Sequence, residues 1–245
     1  MIETIGRYML LMKEVFTRPQ RGKLFWKQVI DEIYYLGVDS VVIVAIISIF
    51  VGAAVTIQMK FNLDVNTIMP LYTIGFAAKK SIILEFSPTI ISLILAGKMG
   101  SHIASELGTM RISEQIDALE VMGINSANFL ILPKIIACVL FNPILIMLSI
   151  VLSLFGGWAI GVSVAGLTTY EYVYGLQFDH NTFDLVYAII KTICFAFLIA
   201  SVSSFYGYNV KGGSLEVGKT STQAVIYSSI AVIFCNLVVT QILLA

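Results

Sequence analysis

Long apolar runs separated by short charged stretches dominate this chain. Residues 38–58 are almost continuously apolar, about 20 residues and long enough to cross a bilayer core. A second run occupies 81–97, with the span drawn at 81–100. The semi-polar stretch before it, 66–80, contains Pro70, Lys79 and Lys80, and either extends the same helix outward or forms a separate piece. Residues 129–166 read as one apolar run of 38 positions, which at ~1.5 Å per residue is almost twice a bilayer. Pro133 and Pro143 punctuate this run, so 143–166 reads as the span and 129–142 as a kinked cytoplasmic extension. Residues 184–206 and 222–244 complete a set of five spans.

Residues 1–36 follow a different pattern. Ile2, Ile5, Met9, Met12 and Phe16 recur at helical spacing, with Arg7 and Lys13 among the polar positions. Pro19 interrupts, and Phe25, Val29, Ile33 and Leu36 resume the spacing opposite Lys23 and Lys27. Amphipathic stretches of low net hydrophobicity suit helices lying in the membrane interface, and Trp26, Tyr34 and Tyr35 suit headgroup depth. The alternative is a soluble cytoplasmic cap. The division is therefore an interfacial segment, 1–36, followed by a five-span domain, 37–245.

Composition agrees. The chain has 245 residues, 58% hydrophobic and 12% charged, and no net charge. Its mean hydropathy is +0.91. Soluble domains carry about twice that share of charge, so the fold class is an all-α polytopic membrane protein. Zero net charge gives no sign of a nucleic-acid partner. Cys138, Cys194 and Cys235 lie inside apolar runs and read as small core residues. The N-terminus does not read as a cleavable signal peptide, since Arg7, Lys13 and Arg18 interrupt its apolar positions.

Orientation follows from the basic residues. Arg7, Lys13, Arg18, Arg21, Lys23 and Lys27 precede the first span, and 167–183 contains no Lys or Arg. The N-terminus is expected in the cytoplasm, with the 98–128 and 207–221 loops on the same side. Lys60, Lys79 and Lys80 then fall near the outer interface, where the pattern offers them no counter-charge.

The charged segment 106–123 lies between two spans and holds Glu106, Arg111, Glu114, Asp117 and Glu120. Each charge costs roughly 2.5 kcal/mol or more at mid-bilayer, so the segment is expected in water. It reads as a short helix with Ser113 as N-cap and Gly123 just past its C-terminus. Ile116, Leu119 and Met122 fall near one face, and Glu114, Asp117 and Glu120 form an acidic one. A helix of about ten residues is marginal alone. It docks either on its own protein or on a soluble partner.

Glu85 and Lys191 are the two ionisable residues most plainly embedded in apolar runs. Counted from the outer ends of their spans, their depths differ by about 5 Å. They are expected to pair, to line one polar patch, or to serve only structure. Gly157-x-x-x-Gly161, with Gly156 beside it, permits close helix approach and reads as packing within one chain. His102 and His180 have no second ligand nearby, so no metal site is expected. No hydrolase motif or convergent acid pair is present. Gly213-Ser-Leu-Glu-Val-Gly218-Lys219-Thr220 satisfies the phosphate-loop pattern. That chemistry needs a preceding buried strand within an α/β sheet, so a Gly-rich cytoplasmic turn is the reading here.

Residues 96–123 resemble the signature of MlaE/YrbE permeases, the membrane subunits of ABC transporters that move phospholipids across the envelope of diderm bacteria. Glu85-Phe-Ser-Pro88 is similar to that family's Glu-Leu-Gly-Pro. Phe205-Tyr-Gly-Tyr208 and Gly218-Lys-Thr-Ser-Thr-Gln-Ala-Val225 are similar to its last loop and last helix. The resemblance implies that the 113–123 region is a coupling helix seated in a groove of an ATPase subunit. Glu114, Gln115, Ile116, Asp117, Leu119, Glu120 and Met122 would carry that contact. Glu85 and Lys191 would lie near the lipid path, although Leu84 stands where the family often has Arg. The implied partners are a cytoplasmic ATPase dimer, an MCE-domain lipid-binding protein, a second copy of the chain and phospholipid. The implied location is the bacterial inner membrane, with no cofactor, no metal and no catalysis by this chain. The competing class is an ATPase-independent transporter or a non-transporting scaffold. Five spans cannot form the equal halves expected of a secondary transporter.

Overall fold

A computed structural model describes residues 2–17, 22–64, 70–179 and 181–244. Arg18, Pro19, Arg21, His180 and the 66–69 part of the semi-polar stretch lie outside the described residues. Among the described residues every regular element is helical. The α-helices are α1 (Ile2–Phe16), α2 (Lys23–Glu32), α3 (Val41–Asp64), α4 (Tyr72–Ser81), α5 (Ile91–Leu95), α6 (Ser101–Ile112), α7 (Gln115–Val121), α8 (Ser126–Ser163), α9 (Thr169–Gln177), α10 (Thr182–Tyr208) and α11 (Ser214–Leu244). Wider π-turns at Ile33–Gly37, Ile82–Ile90 and Ala96–Gly100 join some of these end to end. The result is five helices long and apolar enough to cross a membrane: Lys23–Asn62, Tyr72–Ile112, Ser126–Ser163, Thr182–Tyr208 and Ser214–Leu243.

Several sequence boundaries move. The amphipathic residues 23–36 run without a break into the first apolar helix. The described part of 66–80 extends the second helix from Tyr72. Pro133 and Pro143 do not interrupt α8, which also begins earlier, at Ser126. Asn125 explains that start: its Oδ1 accepts the Asn128 backbone N–H at 3.0 Å, an N-cap bond. The last helix begins at Ser214, so most of the expected Gly-rich turn is helix. Residues 169–177 form α9 in a stretch read as loop. Its start is a capping box. The Thr168 hydroxyl accepts the Glu171 N–H at 3.2 Å, and Glu171 Oε2 accepts the Thr168 N–H at 2.8 Å. The Thr168 backbone and hydroxyl bonds hold the Glu171 carboxyl below its ordinary pKa.

The chain divides into two compact units. One comprises Met1–Ser40, Leu93–Asn142 and Ile193–Ala245; the other comprises Val41–Ser92 and Pro143–Thr192. In the first, α1 buries Leu11, Met12 and Val15. Tyr8 Oη shares a 2.8 Å hydrogen bond with Ser201 Oγ, and Asn128 Nδ2 donates to the Val15 carbonyl at 2.5 Å. Of the expected apolar stripe of α1, Met12 is buried, while Ile5, Met9 and Phe16 remain exposed and available to lipid. Ala96, Phe195, Ile199 and Val232 form a core cluster.

The second unit is built on close backbone contact. A Cβ at Gly52 would lie 1.8 Å from the Ser153 carbonyl oxygen, and one at Gly156 would lie 2.2 Å from that of Ile49. Small residues let α3 and α8 approach this far without side chains between them. Gly161 is less constrained, with its nearest neighbour at 3.4 Å. Gly52→Ala should therefore cost at least the upper end of the ~1–3 kcal/mol typical of overpacking. Gly161→Ala should be tolerated. Thermal unfolding in detergent checks this contrast: a clear fall in Tm is expected for the first variant and none for the second.

Candidate coupling helix and membrane charge sites

Helix α7 is set off from α6 by a sharp turn at Ser113 and Glu114. Ser113 does not cap α7 as expected. Its hydroxyl donates back to the Thr109 carbonyl at 2.7 Å and so closes α6. Glu114 takes the N-terminal position with φ 60, a left-handed backbone uncommon for a side chain of this type. The other end matches expectation. Gly123 has φ 76, its N–H donates to Glu120 O at 2.9 Å, and the Ile124 N–H reaches Leu119 O at 3.0 Å. That pair of bonds is the Schellman motif, which favours glycine at the left-handed position.

The faces of α7 differ from the expected partition. Ile116 is 0% exposed, and Leu119 is half-buried. Glu120 is held by its own chain, accepting from Ser126 Oγ at 2.8 Å and Tyr208 Oη at 3.1 Å. Arg111 Nη1 meets Asp117 Oδ1 at 2.8 Å. Both partners are partly exposed, so this pair contributes at most ~1 kcal/mol. The surface left open includes Glu114, Gln115, Asp117, Ala118, Val121 and Met122, with Val121 89% and Met122 65% exposed. Helical spacing places 114, 118 and 121–122 along one side. Ile116 is thus a docking residue toward its own protein, and Val121 and Ala118 belong on the open face that sequence reasoning assigned without them.

In the second unit Glu85 and Lys191 do meet. Lys191 is fully buried, and its Nζ lies 2.7 Å from Glu85 Oε1. It also donates to Tyr187 Oη at 2.9 Å and to the Leu84 carbonyl at 3.0 Å. Pro88, which has no N–H, lies inside the π-turn Ile82–Ile90 that also carries Leu84 and Glu85. The Glu85 side chain keeps 40% exposure. The cation is therefore enclosed while its counter-charge reaches the surface of the unit. A buried charge persists only when paired and hydrogen-bonded, and Lys191 is both.

The lysines without a sequence-level partner have structural ones. Lys79 Nζ donates to the carbonyls of Leu176 and Phe178, both at 2.8 Å, at the C-terminus of α9. Lys80 Nζ lies 2.7 Å from Asp184 Oδ2 and 3.5 Å from Asp179 Oδ2. Lys60 Nζ donates to the Ala165 carbonyl just past α8. Cations favour helix C-termini, where carbonyls lack intrahelical donors.

One charge was missed altogether. Lys134 lies inside the run read as apolar and is 2% exposed. Its Nζ lies 2.5 Å from Glu32 Oε1 and 2.6 Å from Glu106 Oε2. Glu106, expected in water, is thus half-buried against a buried cation. His102 Nδ1 lies 3.7 Å from the same Glu106 oxygen. Among the described residues, no group of three or more His, Cys, Asp or Glu side chains is arranged to hold a metal ion.

The phosphate-loop match has no cradle. Ser214 to Thr220 lie within α11, and Lys219 Nζ pairs with Glu216 Oε1 one turn away at 2.6 Å. A phosphate cradle needs backbone N–H groups converging from a loop, and helical residues past the first turn have theirs engaged. Lys219→Ala should leave nucleotide binding and ATP hydrolysis by an assembled complex unchanged. A loss of nucleotide binding, measured with assembly intact, would show a cradle that this geometry does not provide.

Comparison with known proteins extends over the same ground. The family described as permease MlaE matches residues 29–242. A probable ABC transporter permease protein of Rickettsia bellii (strain RML369-C) is 28% identical over 240 residues, covering 98% of this chain and 92% of that protein. Another probable ABC transporter permease protein, from Synechocystis sp., is 30% identical over 226 residues, covering 92% and 85%. The intermembrane phospholipid transport system permease protein MlaE of Haemophilus influenzae is 25% identical over 238 residues, covering 96% and 89%. The matched region takes in all five long helices, the exposed α7 and the Glu85–Lys191 pair, and by that extent this multi-pass membrane protein belongs to the MlaE permease family.

Proposed function

We propose that the chain is the membrane subunit of an ATP-driven transporter that moves phospholipid between the inner and outer membranes of a diderm bacterium. The observation that carries this reading is the open face of α7. A short helix between two membrane helices presents Ala118, Val121 and Met122 to water beside acidic Glu114. A surface of that kind is stabilised by burial in a partner, and a folded helix anchored through Ile116 transmits a push. The names of the relatives support the partner's class: those of Rickettsia bellii and Synechocystis sp. are named as ABC transporter permeases, and that of Haemophilus influenzae as a phospholipid transport permease.

In this reading α7 faces the cytoplasm and engages an ATPase dimer, and the N-terminus lies on the same side. ATP-driven closure of the ATPase shifts α7, and the long helices relay the motion. The Glu85–Lys191 pair lies in the lipid path: the enclosed lysine holds Glu85 in place, and the exposed part of the carboxylate meets the lipid headgroup region. Two copies of the chain enclose the path, and an MCE-domain protein receives or delivers the lipid outside. Purification of the tagged chain from its native membrane tests this assignment. An ATPase subunit recovered in fixed proportion, together with phospholipid, is expected. A chain that purifies alone at full yield would favour an ATPase-independent transporter or a scaffold.

A further inference from the structure

Lys134 sits where the two helices flanking α7 meet. Helix α6 enters the coupling segment and α8 leaves it. Glu106 lies seven residues before Ser113, and Lys134 lies eight residues after Ser126. At ~1.5 Å per residue, the contact between them stands about 10–12 Å from each end of the segment. Helix α7 is therefore carried on two arms, and one buried cation joins the arms at 2.6 Å. The same cation reaches Glu32 in α2 at 2.5 Å. Closer to α7, Glu120, Ser126 and Tyr208 hold one another within 3.1 Å.

We infer that the Lys134–Glu106 contact is a clamp that makes the two arms of the coupling helix move together, so that Lys134 and Glu106 are positioning residues for energy transfer. This rests on the reading of α7 as the ATPase contact. A force on α7 can be absorbed in two ways. The arms can splay apart, which wastes the stroke, or they can shift as one body and displace the membrane helices. An ion pair with one partner enclosed resists splaying, because separating it leaves a buried charge without its counter-charge. A neutral contact of the same shape resists much less. Lys134 also explains why two carboxylates, Glu32 and Glu106, tolerate one another: a single ammonium lies between them, with His102 beside Glu106.

The test compares two variants of equal charge change. Glu106→Gln releases α6 from Lys134 but leaves Lys134 paired with Glu32. Glu32→Gln releases α2 but leaves the α6–α8 clamp intact. Each keeps one carboxylate for the one buried ammonium, so both should fold and assemble. The readout is phospholipid transferred per ATP hydrolysed by the reconstituted complex of permease and ATPase. Glu106→Gln is expected to lower that ratio about fivefold or more, the small end of ordinary coupling between sites, with ATP hydrolysis continuing. Glu32→Gln should stay within about twofold of wild type. Restoring the carboxylate as Glu106→Asp should recover part of the ratio. Equal ratios in the two Gln variants, whether both lowered or both unchanged, overturn the clamp. The wild-type complex separates the two claims. If it moves no lipid with ATP, the proposed function fails; if it does and the Gln variants match each other, only the clamp fails. Should either variant not assemble, cysteines placed at 106 and 134 and cross-linked in an otherwise cysteine-free complex supply the answer. Locked arms should keep the wild-type ratio, and a lost ratio would contradict a clamp.

Discussion

Glu85→Gln is expected to damage lipid transfer more than the same change combined with Lys191→Met. The single variant takes the counter-charge from a fully buried ammonium, which keeps the Tyr187 hydroxyl and the Leu84 carbonyl as acceptors. Removing one partner of a buried pair costs about 3–5 kcal/mol, and those two oxygens hold the loss near the lower end. Lys191→Met alone should do less, because the Glu85 side chain is 40% exposed and so is not enclosed when its cation is removed. The double variant removes both charges and should be the mildest of the three for folding. A double-mutant cycle on transfer in proteoliposomes reads the coupling directly. Strong non-additivity is the result expected of a pair that acts as a unit. Additive losses would mean that Lys191 holds a lipid phosphate independently of Glu85. Wild-type transfer by both single variants at equal expression would remove the pair from the mechanism.

Val121→Asp should abolish recovery of the ATPase while leaving the permease folded. Val121 is the most exposed large apolar side chain of α7. In the free chain an aspartate there meets water, and in the complex it would sit in a dry contact. A buried unpaired charge costs several kcal/mol, against a typical protein–protein affinity of ~8–12 kcal/mol. Ile116→Asp should fail differently. Ile116 is fully buried in the free chain, so that variant should lose folded permease before any question of partner binding arises. Pull-down of the ATPase, set beside the gel-filtration profile of each variant, separates the two outcomes. Undiminished recovery by Val121→Asp would place the ATPase contact elsewhere.

The features that were legible in the sequence are those carried by local pattern. Five apolar helices follow from run length, and the end of α7 follows from Gly123. Counting depth along two apolar runs put Glu85 and Lys191 within reach of one another, but left a pair, a shared polar patch and a purely structural role open. What local pattern hid was mostly long-range. Lys134 stands among aliphatics in a run whose periodicity says nothing about Glu32 or Glu106, 102 and 28 residues away. Lys60 and Lys79 are satisfied by carbonyls past the ends of other helices, and a carbonyl leaves no mark on a sequence. Pro133 and Pro143 suggested breaks, yet α8 continues through both. Two signals were available and unused: Thr168-x-x-Glu171 announces α9, and Asn125 announces α8. The face of α7 was misassigned because Ile116, Leu119 and Met122 share a stripe in projection. In the folded unit that stripe is split, with Ile116 turned in and Met122 turned out.

The central claim is that this chain converts ATP hydrolysis by a partner into phospholipid movement. Its most direct test is transfer of a labelled phospholipid in proteoliposomes containing the purified chain, with and without its ATPase and with and without ATP. Transfer is predicted only when chain, ATPase and hydrolysable ATP are all present, and it should disappear with Val121→Asp in the chain. Transfer by the chain alone at the same rate, or ATP-dependent transfer that survives loss of the α7 contact, would contradict the account.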